Sequence, residues 1–236
     1  MNKVRWGVLS TAKIGMEKVT PALLRSQWCD VQAIASRSLA SAQAAAGKLG
    51  IPKAYGSYEE MLADPEIEAV YNPLPNHLHV PLTLAAAKAG KHVLCEKPIA
   101  ITAKEAAQLR KIKNVFVAEA FMVRHATQWI AARELVRKKK IGEVRAIQVM
   151  FSYFNRDPKN VRNKADIGGG GLVIGDGGEC AGGFRDDIGR RRDLRRGAVG
   201  WRLCRAEADR YAAVRDVAEN QPAPRNFAGR AGWQRW

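Results

Sequence analysis

Apolar residues in the first half of the chain come in short runs, each followed by a longer stretch with apolar positions at helical spacing. Val4 to Leu9 is such a run, ending in small residues, and Ile14 to Leu24 then reads as a helix. Val31 to Ala35 is a second short run, and the alanine-rich stretch Leu39 to Leu49 has strong helix propensity. Ala69 to Tyr71 reads as a strand and Val80 to Ala89 as a helix stopped by Gly90. His92 to Cys95, Ala103 to Lys111 and Val115 to Ala118 continue as strand, helix and strand. Strands alternating with helices at this spacing predict crossover connections, hence an α/β domain on a parallel sheet.

Beyond residue 120 the rhythm changes. Gln128 to Lys138 is helical, and Val144 to Phe154 alternates apolar and polar positions over a length that suits the open sheet of an α+β domain. After Leu172 neither period survives. All 13 basic residues of the last 64 are Arg, whereas 16 of the 26 before them are Lys, and ten of the 21 glycines fall in that segment. Only ten of those 64 residues are Val, Ile, Leu or Phe, too few to build a core. This bias is what a G+C-rich gene yields when read out of frame; a native disordered tail is the alternative. The expected organisation is therefore 1–120 as a nucleotide-binding domain, 121–172 as the start of an α+β domain, and 173–236 as an aberrant, disordered Arg/Gly-rich tail.

Composition narrows the functional classes. Cys29, Cys95, Cys180 and Cys204 form no CxxC pair, which argues against a zinc ribbon or disulfide scaffold and fits a reducing cytoplasm. No stretch approaches the ~20 apolar residues of a membrane span, and the first apolar run is too short for a signal peptide. The net charge of +16 is spread along the chain, with no basic stripe bearing interleaved aromatics, so nucleic acid is not the expected partner. The densest cluster, Arg137 to Lys140, closes a helix where cations suit the helix dipole. His77 and His79 lack a third ligand at useful spacing, and no metal is expected.

The chemistry concentrates at the strand ends. Ser10-Thr11-Ala12-Lys13-Ile14-Gly15 has the spacing of G-x-G-x-x-G, with Ser and Ala in the first two glycine places. That turn needs small residues where the backbone approaches a pyrophosphate seated on a helix N-terminus. The second run ends Ala35-Ser36-Arg37-Ser38, with no acid to hold a ribose 2′-hydroxyl. Arg37 can instead fork onto a 2′-phosphate, with Ser36 and Ser38 as further donors, which points to NADP over NAD.

Residues 71–98 read YNPLPNHLHVPLTLAAAKAGKHVLCEKP. This segment, with EAFMVRH at 119–125 and IGEVRAIQVMFSYFN at 141–155, resembles the Gfo/Idh/MocA oxidoreductases of the glucose–fructose oxidoreductase and inositol dehydrogenase type. Within that family it is most similar to the xylose dehydrogenase and dihydrodiol dehydrogenase branch. The resemblance implies a Rossmann doubly wound sheet followed by an α+β domain, and hydride transfer between NAD(P) and a sugar or cyclic diol. It implies Asn72, Pro73, Leu74 and Asn76 on the nicotinamide-ribose side, with Glu96 and Lys97 following the next strand. Lys97 would stand beside the reacting hydroxyl, where partial desolvation and a cationic ring favour loss of its proton. Pro98 is often cis in this family, and Arg124 matches a position near cofactor or substrate. His79 of P-N-x-x-H would cap or position the cofactor loop. Val123 and Thr127 depart from the family's aromatic and Pro. Ile174 and Gly178 stand where the family has Asp and the Tyr or His that exchanges a proton. Full-length relatives pair through the outer face of the second-domain sheet. A catalytically inactive, cofactor-binding product is the alternative reading of this chain.

Overall fold

The computed structural model describes residues 2–145, together with 157, 158, 160, 163 and 164. Six parallel strands form one sheet in the order β3-β2-β1-β4-β5-β6. They are β1 Val4–Leu9, β2 Cys29–Ala35, β3 Lys53–Tyr55, β4 Ala69–Asn72, β5 His92–Glu96 and β6 Val117–Ala120. The helices between them are α1 Thr20–Arg25, α2 Leu39–Leu49, α3 Tyr58–Ala63, α4 His79–Lys88 and α5 Ala103–Leu109, with α6 Thr127–Arg137 after the last strand. The strand order reverses direction between β1 and β4, which opens a crevice at their carboxyl ends.

A parallel sheet must be covered on both faces, and the strands supply apolar residues to each. Trp6, Val8, Ile34, Ala69 and Tyr71 meet Met16, Val19 and Leu23 and the α2 alanines on one side. Leu9, Ala35, Val70, Val93, Cys95 and Val117 meet residues of α3, α4 and α5 on the other. Gly7 belongs to this second face for a steric reason: a Cβ there would stand 2.9 Å from Met61 Sδ. Glycine lets the methionine lie directly on the strand.

Two elements escape the hydrophobic pattern. β3 is a three-residue edge strand with every side chain only half-buried, too short for alternation to show. α3 spans six residues but carries a start signal, since Ser57 Oγ accepts from the Glu60 amide at 3.1 Å. Thr102 caps α5 in the same way, and Glu105 reaches back to accept from the Ile101 amide at 2.9 Å. The helix expected over Ile14 to Leu24 begins as a wider π-turn, Gly15–Val19, before α1. Pro21 has no amide to donate, and the Thr20 amide reaches five residues back to Gly15 O. β6 lies two residues later than the sequence pattern placed it. The strand expected over Val144 to Phe154 falls largely outside the described residues, as does the whole segment 173–236.

The amino edge of the sheet is pinned by charge. Lys91 is buried and donates to Asp64 O at 2.7 Å and Ile67 O at 2.8 Å. Burial lowers its pKa. The Asp64 carboxylate accepts from Lys53 at 2.8 Å and from the Tyr55 hydroxyl at 2.7 Å. With the Lys53 hydrogen bond as the main cause, its pKa is lowered to about 2. Arg137 and Lys138, at the end of α6, lie 3.8 and 3.7 Å from the Glu134 carboxylate, so that basic cluster is a helix terminus.

Candidate functional site

Strand register brings the sequence-marked residues to one edge. Leu9 pairs with Ala35, Val8 with Tyr71, Asn72 with Cys95 and Glu96 with Ala120. The residues that follow, Ser10, Ser36, Pro73 and Lys97, therefore lie along the carboxyl edge of β2, β1, β4 and β5. Arg124 joins that edge through the turn Met122–His125 after β6 and is exposed.

The turn after β1 is built on an unusual backbone. Ser10 has φ of +107°, a conformation that favours glycine, and its Oγ accepts from the Ala12 amide at 3.2 Å. Ser10 thus performs the chain reversal expected of the first glycine. Thr11 and Ala12 are half-exposed, and Ile14 is 45% exposed at the helix start. Gly15 is buried, and a Cβ there would stand 3.4 Å from Pro73 Cγ and 3.5 Å from Tyr71 Cε1. Small side chains at 10, 12 and 15 leave backbone amides and a helix start to face the crevice, which fits a dinucleotide pyrophosphate.

At the end of β2 the loop is held in place. The Ser36 amide donates to Tyr55 O at 3.1 Å, and Ser38 Oγ accepts from the Ser41 amide at 3.4 Å as the cap of α2. Arg37 is exposed between them. Its charge acts on Tyr58, whose phenol is pushed above its ordinary pKa by burial and drawn back by Arg37. Tyr58 was absent from the sequence reading, although its place just after the Ser57 cap could have flagged it. The side chains at 36–38 fit a 2′-phosphate, and no carboxylate stands among them.

The side chains of Asn72 and His79 turn inward. Asn72 is fully buried; its amide donates to His79 O at 3.2 Å, and its Oδ1 accepts from the Leu74 amide at 3.3 Å. The His79 ring is 1% exposed and spans Pro98 O and Leu74 O, each 2.6 Å from a ring nitrogen. Burial pushes its pKa down, against the opposing pull of those two carbonyls. With their polar side-chain atoms engaged inside the domain, both shape the loop 72–76 and the turn at Pro98. Pro73 and Leu74 are buried, Pro73 against Gly15, while Asn76 is half-exposed in the turn Asn76–Leu78. His77 is exposed.

The last strand end carries Glu96 and Lys97, both half-buried, and the Lys97–Pro98 peptide is cis. The Glu96 carboxylate accepts from the Tyr71 hydroxyl at 2.8 Å and from the Lys97 amide at 3.2 Å. Glu119, from the EAFMVRH segment, accepts from the Ile99 amide at 2.8 Å and fixes the far side of the same turn.

Strand order, a tight small-residue turn on the first helix, and a cation at the end of β2 define a dinucleotide-binding Rossmann domain. The profile of the "oxidoreductase family, NAD-binding Rossmann fold" matches residues 4–141, and the chain belongs to that Gfo/Idh/MocA family. An uncharacterized oxidoreductase of Rhizobium meliloti is 52% identical over 175 residues, which cover 73% of this chain and 52% of the relative. A D-xylose 1-dehydrogenase (NADP(+)) of Haloferax volcanii is 43% identical over 172 residues, covering 71% and 52%. A 3-ketoreductase of Actinomadura kijaniata, solved with NADP and TDP-benzene, superposes with a TM-score of 0.68 at 32% identity, covering 71% of this chain and 52% of that one. The chain thus spans about half the length of the curated relatives it matches. Among the described residues no helix is long and apolar enough to cross a membrane.

Proposed function

We propose that this chain is the cofactor half of an NADP-dependent oxidoreductase acting on a hydroxyl or keto carbon of a sugar or cyclic diol. The observation that carries the reading is the alignment of the Ser10 turn, Arg37 and Lys97 along one carboxyl edge of the sheet. The bound nicotinamide would supply or accept the hydride. The Ser10–Gly15 turn would hold the pyrophosphate with backbone amides, and Arg37 with Ser36 would receive the 2′-phosphate. Lys97 would orient the reacting hydroxyl and share its proton.

A second reading, binding with turnover near background, is favoured by the residues Ile174 and Gly178. Positioning a substrate a few ångströms from the ring is worth several kcal/mol of barrier. In the family resemblance that task, with the proton-exchanging Tyr or His, belongs to the places held here by Ile174 and Gly178. NADPH titration followed by an aldose and cyclic-diol turnover assay separates the readings. Binding with background turnover supports the inactive product; robust NADP reduction abolished by Lys97→Met supports the enzyme. Absence of dinucleotide binding refutes both.

A further inference from the structure

The mechanism sketched above uses Lys97 but leaves unexplained what holds it. Tyr71 is completely buried, and its ring packs beneath Gly15, where an added Cβ would touch Cε1 at 3.5 Å. Tyr71 pairs with Leu94 across the β4–β5 ladder, so Glu96, two residues on, is its diagonal neighbour on the same face. The phenol hydroxyl donates to Glu96 Oε1 at 2.8 Å, while Oε2 accepts from the backbone amide of Lys97 at 3.2 Å. One buried residue thus touches the seat of the dinucleotide helix with its ring and the lysine-bearing strand end with its hydroxyl.

We infer that Tyr71 is a positioning residue. Its hydroxyl locks the Glu96 carboxylate onto the Lys97 amide, and so fixes Lys97 relative to the Gly15 helix that carries the cofactor. The inference rests on the proposed role of Lys97 and the dinucleotide. A carboxylate with one oxygen held by a phenol and the other by an amide has a fixed rotamer. Without the phenol it can swing toward the neighbouring lysine ammonium. The result would be a displaced lysine.

Tyr71→Phe keeps the ring against Gly15 and removes only the hydroxyl. In the full chain, NADPH binding should weaken about five- to tenfold, less than the full loss of a hydrogen bond to a charged group because the broken bond acts on the cofactor only through Lys97. Adenosine 2′,5′-bisphosphate, which has no nicotinamide end, should bind as before. Parallel loss in both nucleotides would make Tyr71 a general scaffold residue and overturn the inference; so would no loss in either. Acetylation of Lys97 at a fixed pH provides a readout that needs no cofactor: the labelling rate should change in Tyr71→Phe, and an unchanged rate overturns the inference. If the parent chain binds neither nucleotide, the cofactor reading fails while the acetylation arm still decides this one. Should Tyr71→Phe not fold, Glu96→Ala breaks the same linkage from the other side. A ratio of NADPH to bisphosphate affinity equal to the parent's then refutes it.

Discussion

Replacing Arg37 with Ala tests the cofactor assignment at its most exposed point. A hydrogen bond to a charged group contributes about 1.5–3 kcal/mol, and a guanidinium can fork two of them onto a phosphate. Arg37 is exposed, so solvent screening puts the effect at the low end, about 1.5 kcal/mol or roughly tenfold in affinity. The neighbours do not compensate. The Ser38 oxygen already caps α2, and the Ser36 amide is bonded to Tyr55 O, which leaves their hydroxyl protons as the local donors. Fluorescence titration at low salt should show the parent preferring NADPH to NADH, with Arg37→Ala losing about a tenfold share of NADPH affinity and leaving NADH nearly unchanged. Because the pair is exposed, raising the salt should shrink the parent's preference and do little to the variant. Equal affinity of the parent for both cofactors, or an unaltered ratio in Arg37→Ala, refutes the assignment.

Other consequences are measurable on the folded domain. At Ser10, both Ser10→Ala and Ser10→Gly lose the bond to the Ala12 amide, but only Gly relieves the positive φ. Strain of about 1–3 kcal/mol, less the extra chain entropy of glycine, should leave Gly more stable than Ala by about 1 kcal/mol in urea melts; the reverse order contradicts the strain. Gly15→Ala should be tolerated, since its Cβ would meet Pro73 and Tyr71 at ordinary contact distance, whereas Gly15→Val should destabilise and weaken dinucleotide binding; equal behaviour of the two would deny the close packing. His92 has a folded pKa below the ordinary 6.5 because of burial, and its Nδ1 accepts from the Phe116 amide at 2.9 Å, so the unfolded chain binds more protons below that pH. Its stabilising contribution is complete above about pH 6.5 and falls as pH drops toward the folded value, so His92→Phe should flatten the decline of melting temperature between about pH 7 and pH 5. An unaltered profile in that variant counts against a neutral imidazole at 92.

Much of this fold was legible because its cause is periodic. Runs such as Val4–Leu9 and His92–Glu96, separated by alanine-rich helices, could bury both faces of a sheet in only one general way. β3 was hidden because three half-buried residues carry no period. The cap at Ser57 announced α3 more clearly than its apolar content did. Site residues divided along a different line. Ser10, Arg37 and Lys97 were expected at strand ends, and the parallel order places all three along one edge. The direction of Asn72 was not legible, because a motif letter records chemistry and not which way the side chain points. Neighbouring positions at a strand end face opposite ways, so Asn72 satisfies the interior while Pro73 packs beneath the dinucleotide turn. Tyr71 was read only as an apolar strand residue, since its hydroxyl acquires meaning only from Glu96, 25 positions away.

The two edges of the sheet show why net charge alone says little about the partner. At the amino edge, Lys53 and Lys91 spend their ammonium groups on Asp64 and on carbonyls that close the α3–β4 corner. Those cations are structural, and substituting them should cost stability before it touches binding. At the carboxyl edge, Arg37, Lys97 and Arg124 sit on or just beyond strand ends, where the main chain is turning and where the proposed function seats an anionic dinucleotide. Among the described residues these cations thus divide by geometry. The parallel strands point one set of termini at a crevice and the other at the domain's own loops, and under the proposed function it is the first set that would discriminate between cofactors.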